Sequence, residues 1–374
     1  MLCALLAITS PGLVLPHAPR PQLARAPPPR ASTEPQLDDK KKPVPLPDFY
    51  IELPFENYLD GDRPEASWKL AGSNFVKQGK TIIVQLGETV GVIKRDPLRP
   101  PTCLGLTLSN EAVKQAEIRR EAAGGRVEAH PVSRGLYDLG CLFLDNLFDG
   151  RPIQRFWFLE IIARIPYFSY VSMLHLYESF GWWRAPELRK VHNAEEWNEL
   201  HHLLIMESLG GNALWSDRFL GYHVAIVYYW FLIGVYLCSP RIAYQFMELL
   251  EAHAVDTYST FVKQNRERLA TLPPPAVARS YYTEGDLYIF DDFQMRPPGS
   301  RRPTCDSLLD VFVNICEDES EHVLTMQACQ NYAVLGERVC SPHVAYLNEP
   351  SINIDREERR KMWKKWAKQI NEQE

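Results

Sequence analysis

The stretches Asn198–His202 and Glu317–His322 read NELHH and EDESEH. In each, a glutamate precedes a histidine by three residues; the pairs are Glu199 with His202, and Glu319 with His322. Residues three apart share one face of a helix, so each pair can offer a carboxylate and an imidazole to one metal ion. About one Glu-x-x-His spacing is expected by chance in a chain of this composition. The neighbouring sequence must therefore show whether these two pairs form a metal site.

Two further glutamates lie in apolar runs. Glu160 stands in FWFLEIIAR and Glu251 in FMELLEAHA. A carboxylate inside an apolar helix costs several kcal/mol unless a cation neutralises it. The alternative for each is a surface glutamate on an amphipathic helix. Two lone glutamates and two Glu-x-x-His pairs form the ligand set of ferritin-like di-iron bundles, and carboxylates without thiolates favour iron or manganese over zinc or copper(I).

The sequence predicts an all-α fold: a ferritin-like four-helix di-iron bundle with two additional interfacial membrane-binding helices. The predicted helices are 134–148, 152–181, 188–209, 216–238, 240–268 and 304–335. Pro240 suits the first position of a helix, and the run 272–275, LPPP, ends one. A strand-like patch, TIIVQL, occupies residues 81–86.

Composition excludes several classes of protein. With 374 residues, 45% hydrophobic and 24% charged, the chain is that of a folded protein. Its net charge of -6 gives no sequence-wide basic signal, so nucleic acid is not an expected partner. Eight cysteines without a C-x-x-C pair are too few for a disulfide scaffold, although the group of cysteines from Cys305 to Cys340 could hold a regulatory pair.

Residues 219–240 contain no Asp, Glu, Lys or Arg over 22 positions, enough helix for roughly 30 Å of bilayer. Glu199 precedes this segment and Glu251 follows it, yet both are expected at one metal site. A crossing would leave only residues 239–250 for the return, which as helix cover under about 20 Å. We therefore predict a helix lying in one leaflet, with residues 136–148 as its companion; the alternative is burial by a partner or a dimer interface.

Over about residues 136–342 the chain resembles the alternative oxidase family, and its plastid branch in particular. The matching stretches are LEIIARIPYFSYVSMLHLYESFGWWR, WNELHHLLIMESLGGN, CSPRIAY, LLEAHAVDTY, YYTEGDLYIFDDF and DVFVNICEDESEH. His253, the Tyr281–Tyr282 pair and the long segment between Glu251 and Glu319 favour the plastid branch. The resemblance implies an enzyme that oxidises plastoquinol and reduces O2 to water at a non-haem di-iron site, without pumping protons. It also implies a homodimer on one membrane leaflet.

The resemblance also implies residue roles. The six iron ligands are Glu160, Glu199, His202, Glu251, Glu319 and His322. Glu199 and Glu319 would bridge the two irons, and whether the histidines bind iron directly is left open. Tyr258 matches a proposed redox partner, while Asn198 and Asp318 match positions that orient the histidines. The implied quinol pocket comprises Arg155, Leu159, Ala254 and Thr257.

Four segments are predicted. They are a targeting leader at 1–42, an N-terminal arm or accessory region of unknown role at 43–130, the di-iron oxidase domain at 131–347 and a charged C-terminal helix at 348–374. The leader starts apolar and is poor in acids, which favours a plastid and its thylakoid membrane over a mitochondrial inner membrane or simple secretion. Rival functions are a mitochondrial-type ubiquinol oxidase, a di-iron quinone hydroxylase and a non-catalytic ferritin-like iron-binding protein.

Overall fold

The computed structural model describes residues 66–94, 104–285, 287–335 and 339–342. These residues form α-helices, two short π-helical segments and no strands, which confirms the all-α prediction. The α-helices are α1 (Ser67–Thr89), α2 (Asn110–Arg120), α3 (Pro131–Leu147), α4 (Pro152–Ser179), α5 (Pro186–Ser208), α6 (Trp215–Cys238), α7 (Pro240–Leu269), α8 (Ala276–Arg279), α9 (Leu287–Asp292) and α10 (Leu308–Leu335). The π-helical segments are Glu121–Gly125 and Ser280–Glu284. The predicted leader and C-terminal helix lie outside the described residues, so the four-segment division stays a prediction.

Proline starts several of the long helices, because it needs no hydrogen-bond acceptor at the first position and its φ is already helical. Pro152, Pro186 and Pro240 begin α4, α5 and α7. Ser239 caps α7, with its hydroxyl accepting a hydrogen bond from the backbone N–H of Ile242 at 3.4 Å. Since α6 ends at the preceding residue, Ser239 alone connects α6 to α7.

The last long helix begins at Leu308 rather than at the predicted residue 304. Ser307 and Asp310 form a reciprocal cap there. The Ser307 hydroxyl accepts from the Asp310 N–H at 3.2 Å, and the Asp310 carboxylate accepts from the Ser307 N–H at 3.0 Å. This capping box holds Ser307 outside the helix and thereby fixes where the helix starts.

The strand-like interpretation of residues 81–86 is wrong, because they lie within α1. β-Branched residues favour strands only where a neighbouring strand can pair with them, and the described residues provide none. Side-chain contacts dock α1 instead. Gln85 donates to the Ala213 carbonyl at 2.9 Å and accepts from the Trp215 N–H at 3.1 Å.

The bundle consists of α4, α5, α7 and α10, packed as the pairs α4 with α5 and α7 with α10. An aromatic cluster joins α4, α7 and α10 in its interior. Phe156 stacks on Tyr258 with ring centroids 4.3 Å apart, and Phe312 packs against Phe261 at 4.7 Å. These rings fill the bundle beside the buried glutamates, so the backbone around the site is held by close packing.

Helix α6 lies along α4 and also packs on α7. Gly221 allows the close approach near one end, since a Cβ there would lie 3.3 Å from the Trp157 ring. Toward the other end Tyr236 packs on Tyr170, with ring centroids 5.3 Å apart. The helix therefore follows the bundle over most of its length. Helix α3 packs against α7.

Candidate metal centre

Each bundle helix contributes acidic or imidazole side chains to one buried cluster. Its six members are Glu160 from α4, Glu199 and His202 from α5, Glu251 from α7, and Glu319 and His322 from α10; none is more than 2% exposed. Their donor atoms form two groups, each within 4.8 Å: Glu160, Glu199, His202 and Glu319, and Glu199, Glu251, Glu319 and His322. Glu199 and Glu319 belong to both groups, as two bridging carboxylates would.

The donor atoms of the cluster lie close together, but several of them form no hydrogen bond with their neighbours. Nδ1 of His322 lies 2.9 Å from Oε1 of Glu199, and Nδ1 of His202 lies 3.3 Å from Oε1 of Glu319. Despite these distances, both Nδ1 atoms and both Glu199 oxygens form no hydrogen bond of acceptable angle with the described residues. Each unsatisfied buried atom costs about 1–3 kcal/mol. Cations among these atoms would remove that cost, so the cluster fits metal ions.

The electrostatics of the cluster point the same way. Burial and the neighbouring Glu199 raise the pKa of Glu160, and the same two causes raise the pKa of Glu319. Burial lowers the pKa of His322, but the facing carboxylates, beginning with Glu199, raise it well above its usual value. Without metal, these raised pKa values therefore favour the protonated forms of Glu160, Glu319 and His322. Binding of divalent metal would displace these protons.

Asp318 fixes the orientation of His202. Nε2 of His202 lies 3.1 Å from Oδ2 of Asp318, whose other oxygen accepts a hydrogen bond from Arg301. Burial alone would raise the pKa of Asp318, but Arg301 and His202 together lower it, so this carboxylate is ionised. His202 must then donate from Nε2, which leaves Nδ1 facing the glutamates. The geometry is that of a histidine prepared for metal binding by a hydrogen-bonded carboxylate.

Asn198 acts on the site indirectly. Its amide donates to Asp318 at 3.1 Å and to the Tyr281 hydroxyl at 2.7 Å, rather than to a histidine. Tyr282 donates to Asp318 at 2.8 Å. Both tyrosines lie in the π-helical segment Ser280–Glu284, and such segments are frequent at functional sites.

Two tyrosines hold the outer glutamates from across the bundle. The Tyr258 hydroxyl on α7 donates to Glu160 on α4, and the Tyr167 hydroxyl on α4 donates to Glu251 on α7 at 2.8 Å. Sequence reasoning singled out Tyr258 and missed Tyr167. A signal was present, because each tyrosine stands seven residues after a glutamate of the cluster on its own helix. Arg301, also missed, lies in a loop where no spacing ties it to Asp318.

A cavity of about 490 Å³ reaches the cluster from the side formed by α3, α4, α6 and α7. Its walls are mostly apolar, and its inner end includes Tyr258 and three glutamates of the cluster, Glu160, Glu251 and Glu319. A larger cleft of about 670 Å³ at the α6–α7 corner includes no residue of the cluster, so its size does not make it the better candidate. The smaller cavity gives a ligand access to the cluster.

The four residues expected around a quinol take two positions. Leu159 and Ala254 line the cavity, whereas Arg155 and Thr257 are buried behind its wall. Both contact His253, which does line the cavity: Nη2 of Arg155 lies 3.4 Å from Nε2, and the Thr257 hydroxyl donates to the His253 carbonyl at 2.7 Å. Burial and Arg155 lower the pKa of His253 to about 3, so its imidazole is neutral.

The outer surface of α3 and α6 is apolar. Leu139 and Leu142 on α3 are 63% and 61% exposed, and Val227 and Trp230 on α6 are 70% and 66% exposed. Within the described ranges, α6 is the one helix long and apolar enough to cross a membrane by length and composition. Leu139 also lines the cavity, so the cavity reaches this apolar surface.

The sequence profile of the alternative oxidase family matches residues 127–331, more than half of the chain. The chain belongs to the alternative oxidase family. Among relatives, it is 54% identical over 201 residues to ubiquinol oxidase 4, chloroplastic/chromoplastic, of Arabidopsis thaliana. It is 27% identical over 184 residues to ubiquinol oxidase 1, mitochondrial, of Nicotiana tabacum. These matches cover 54% and 48% of this chain, and 56% and 45% of the relatives.

The chain thus spans about half the length of the curated relatives it matches. The higher identity to the chloroplast relative supports the plastid branch of the alternative oxidase family. All six cluster residues lie inside the region matched by the family profile, whereas α1 and α2 precede it. The homology therefore applies to the bundle and the cavity.

Proposed function

We propose that this alternative oxidase is a plastid plastoquinol oxidase that reduces O2 to water at a di-iron centre. The observation that carries the proposal is the cavity between α3, α4, α6 and α7, which reaches an exposed apolar surface at one end and three clustered glutamates at the other. A storage protein has no need of such an access route for an apolar molecule. The names of the relatives, which are ubiquinol oxidases, support the reaction class.

The two overlapping groups of donor atoms would each hold one iron, with Glu199 and Glu319 shared between them. Iron bound there supplies reversible one-electron chemistry and a place for dioxygen. The carboxylate-rich donors suit a hard cation whose charge changes during the reaction. With Nε2 committed to Asp318, His202 would bind metal directly through Nδ1.

The residues around the cavity have separable tasks. Apolar side chains such as Leu159 and Phe246 would hold the quinol ring and the start of its tail, and would exclude water. His253 forms part of the cavity wall that would contact the head group. Each quinol gives up two electrons and two protons, so two quinols supply the four of each that one O2 requires. Tyr258, whose hydroxyl donates a hydrogen bond to Glu160 and whose ring stacks on Phe156, would supply an electron at the inner end.

The apolar surface of α3 and α6 supports attachment to one leaflet. Because α6 follows α4 along the bundle, a crossing by α6 would carry the bundle and its charged cluster into hydrocarbon, where ionisable groups are costly. Lying in the interface, α6 and α3 would open the cavity to dissolved quinol. Protons are then released and consumed on one side of the membrane, so the reaction pumps none. We further propose the thylakoid as the membrane and a homodimer as the assembled form, with the enzyme acting as an electron safety valve or carotenoid-desaturation sink.

The proposal is tested by measuring oxygen consumption by the iron-loaded protein in liposomes, with decyl-plastoquinol and decyl-ubiquinol as alternative donors. We expect faster turnover with plastoquinol, and water as the product. Glu199→Ala should abolish turnover, while Glu267→Ala, an exposed glutamate on α7, should leave it unchanged. Persistent turnover in Glu199→Ala would refute the assignment. A hydroxylated quinone would identify a hydroxylase, and iron uptake far beyond two per chain a storage protein.

A further inference from the structure

Helix α2 lies before the region matched by the family profile, yet it is firmly attached to the bundle. The backbone N–H of Thr107 donates to the Asn265 side chain at 2.9 Å, and the Asn265 amide donates back to the Thr107 carbonyl at 2.7 Å. Val113 of α2 is 2% exposed and belongs to the main hydrophobic core. The position of α2 relative to α7 is therefore fixed by packing and hydrogen bonds.

One end of α2 reaches the cavity wall through Arg155. Oδ1 of Asn110 accepts a hydrogen bond from Nη1 of Arg155 at 2.7 Å, and Asp145 accepts another from the same nitrogen at 2.8 Å. The opposite nitrogen of this guanidinium, Nη2, lies 3.4 Å from Nε2 of His253. Arg155 is 1% exposed, so its direction is set by these partners and not by solvent.

The other end of α2 reaches the same imidazole through Tyr137. Glu117 stands seven residues after Asn110, two helical turns along the same face. Its carboxylate lies 3.6 Å from Arg134, whose guanidinium covers the Tyr137 ring at 5.7 Å. Burial raises the pKa of Glu117, and a hydrogen bond with the Tyr137 side chain opposes that rise. The Tyr137 oxygen lies 3.1 Å from Nδ1 of His253.

Both ring nitrogens of His253 are thus linked to α2, Nε2 through Arg155 and Nδ1 through Tyr137. The donor in each of these hydrogen bonds follows from the chemistry of the partners. Arginine has no acceptor, so Arg155 must donate to Nε2. Because Nε2 accepts this hydrogen bond it carries no proton, so the ring proton is on Nδ1, which donates to the Tyr137 hydroxyl. The Tyr137 hydroxyl keeps its own hydrogen for Glu117. The series of hydrogen bonds from Arg155 through His253 and Tyr137 to Glu117 therefore has a donor and an acceptor at every step.

We propose that α2 forms the rear support of the quinol cavity, with Asn110 and Glu117 as positioning residues that act through Arg155 and Tyr137 to fix the orientation of the His253 ring in the cavity wall and so determine affinity for the quinol head group. Neither residue touches the quinol. The inference rests on the proposed function for the identity of the ligand. It assigns a role to part of the region before the family match, in determining how tightly the cavity holds a quinone ring.

The test uses the full chain and two measurements. The first is the Kd of decyl-plastoquinone for the metal-free protein, followed by tryptophan fluorescence quenching; the second is the KM and kcat of the iron-loaded protein in liposomes. Asn110→Ala and Glu117→Ala should raise Kd and KM roughly five- to twentyfold, with kcat changed by less than about twofold. Glu111→Ala, an exposed glutamate on the same helix, is the matched control and should match the parent. Glu117→Gln keeps an acceptor for Tyr137 and should recover most of the affinity.

A double-mutant cycle separates positioning from general destabilisation. Tyr137→Phe removes the hydroxyl between Glu117 and His253 and should raise Kd about as much as Glu117→Ala. The double variant should bind no more weakly than Tyr137→Phe alone, since both changes break one chain of hydrogen bonds. Additive effects, or a lower Tm with unchanged Kd, would overturn the inference while leaving the oxidase assignment standing. A parent protein that binds no decyl-plastoquinone would overturn the quinol oxidase assignment itself, and this inference with it.

Discussion

Tyr167 on α4 donates a hydrogen bond to Glu251 on α7, with 2.8 Å between the oxygens. The return bond runs from Tyr258 on α7 to Glu160 on α4. The two outer glutamates of the cluster are thus held from across the bundle by equivalent partners. Of the two tyrosines, Tyr258 lines the cavity and Tyr167 does not. Comparing variants of the two therefore separates the effect of the hydrogen bond from a role in electron transfer.

Tyr258→Phe and Tyr167→Phe each remove one hydroxyl from a buried glutamate, and both variants should still bind metal. We expect Tyr258→Phe to lower kcat at least roughly tenfold and Tyr167→Phe less than about threefold, a difference of about 0.7 kcal/mol or more in activation free energy. The measurement is quinol-dependent oxygen consumption per bound iron. Equal losses in the two variants would show that Tyr258 only orients Glu160.

The sharing of Glu199 and Glu319 between the two groups of donor atoms predicts the metal content of variants. Glu160→Ala removes a donor from one group, so it should leave about one metal per chain, held by the other group. Glu199→Ala weakens both groups and should leave almost none. Iron per chain after reconstitution and desalting measures this. Two metals retained in Glu199→Ala would be incompatible with a bridging role.

Asp318→Asn removes the ionised acceptor of His202 and the charge that faces Arg301. Residues that orient a metal ligand in this way change metal affinity by about 10–100-fold, and we expect a loss of that size. Competition with a chelator of known affinity gives the value. Glu317→Gln is the control, because Glu317 also pairs with Arg301 but its side chain is 48% exposed and outside the cluster. An equal loss in the control would mean that Arg301, and not Asp318, matters.

Membrane attachment through α6 is tested by Trp230→Glu. Trp230 is 66% exposed, and transferring its ring into an interface is worth about 1.5–3 kcal/mol, so partitioning onto liposomes should fall roughly 10–100-fold. The Tm in detergent should change little. Leu324→Glu makes the same kind of change on α10, at a side chain 45% exposed, and should not alter partitioning. If both variants partition alike, α6 does not face the lipid.

The long helices and the members of the cluster were predictable because their signals are local. Pro152 and Pro240 mark first positions of helices, and the Glu-x-x-His spacing survives in any helix. The four helices of the bundle could be inferred from the Glu and His residues of the cluster that they carry. Local signals also explain the error in α1, where TIIV was taken for strand without knowledge of its neighbours.

What the sequence could not provide were relationships that exist only after packing. Arg301 lies in a loop and donates a hydrogen bond to Asp318, and no residue spacing in the sequence predicts that contact. Arg155 was expected in the quinol pocket, whereas the fold puts His253 at the wall and Arg155 behind it. The second case depends on the rotation and depth of helices, which sequence periodicity specifies only to within one face of each helix.

Ser239 is the single residue between α6, which carries the exposed apolar surface, and α7, which carries Glu251. A tilt of α6 in a bilayer would therefore be transmitted to α7, and a cation that shifted Glu251 would in turn displace α6. The proposed attachment to a bilayer and the proposed loading with metal would therefore both act on the connection at Ser239. By thermodynamic reciprocity, any change that the proposed attachment makes in the free energy of metal binding would equal the change that metal binding makes in the free energy of attachment, so a bilayer would act as an effector of the metal centre.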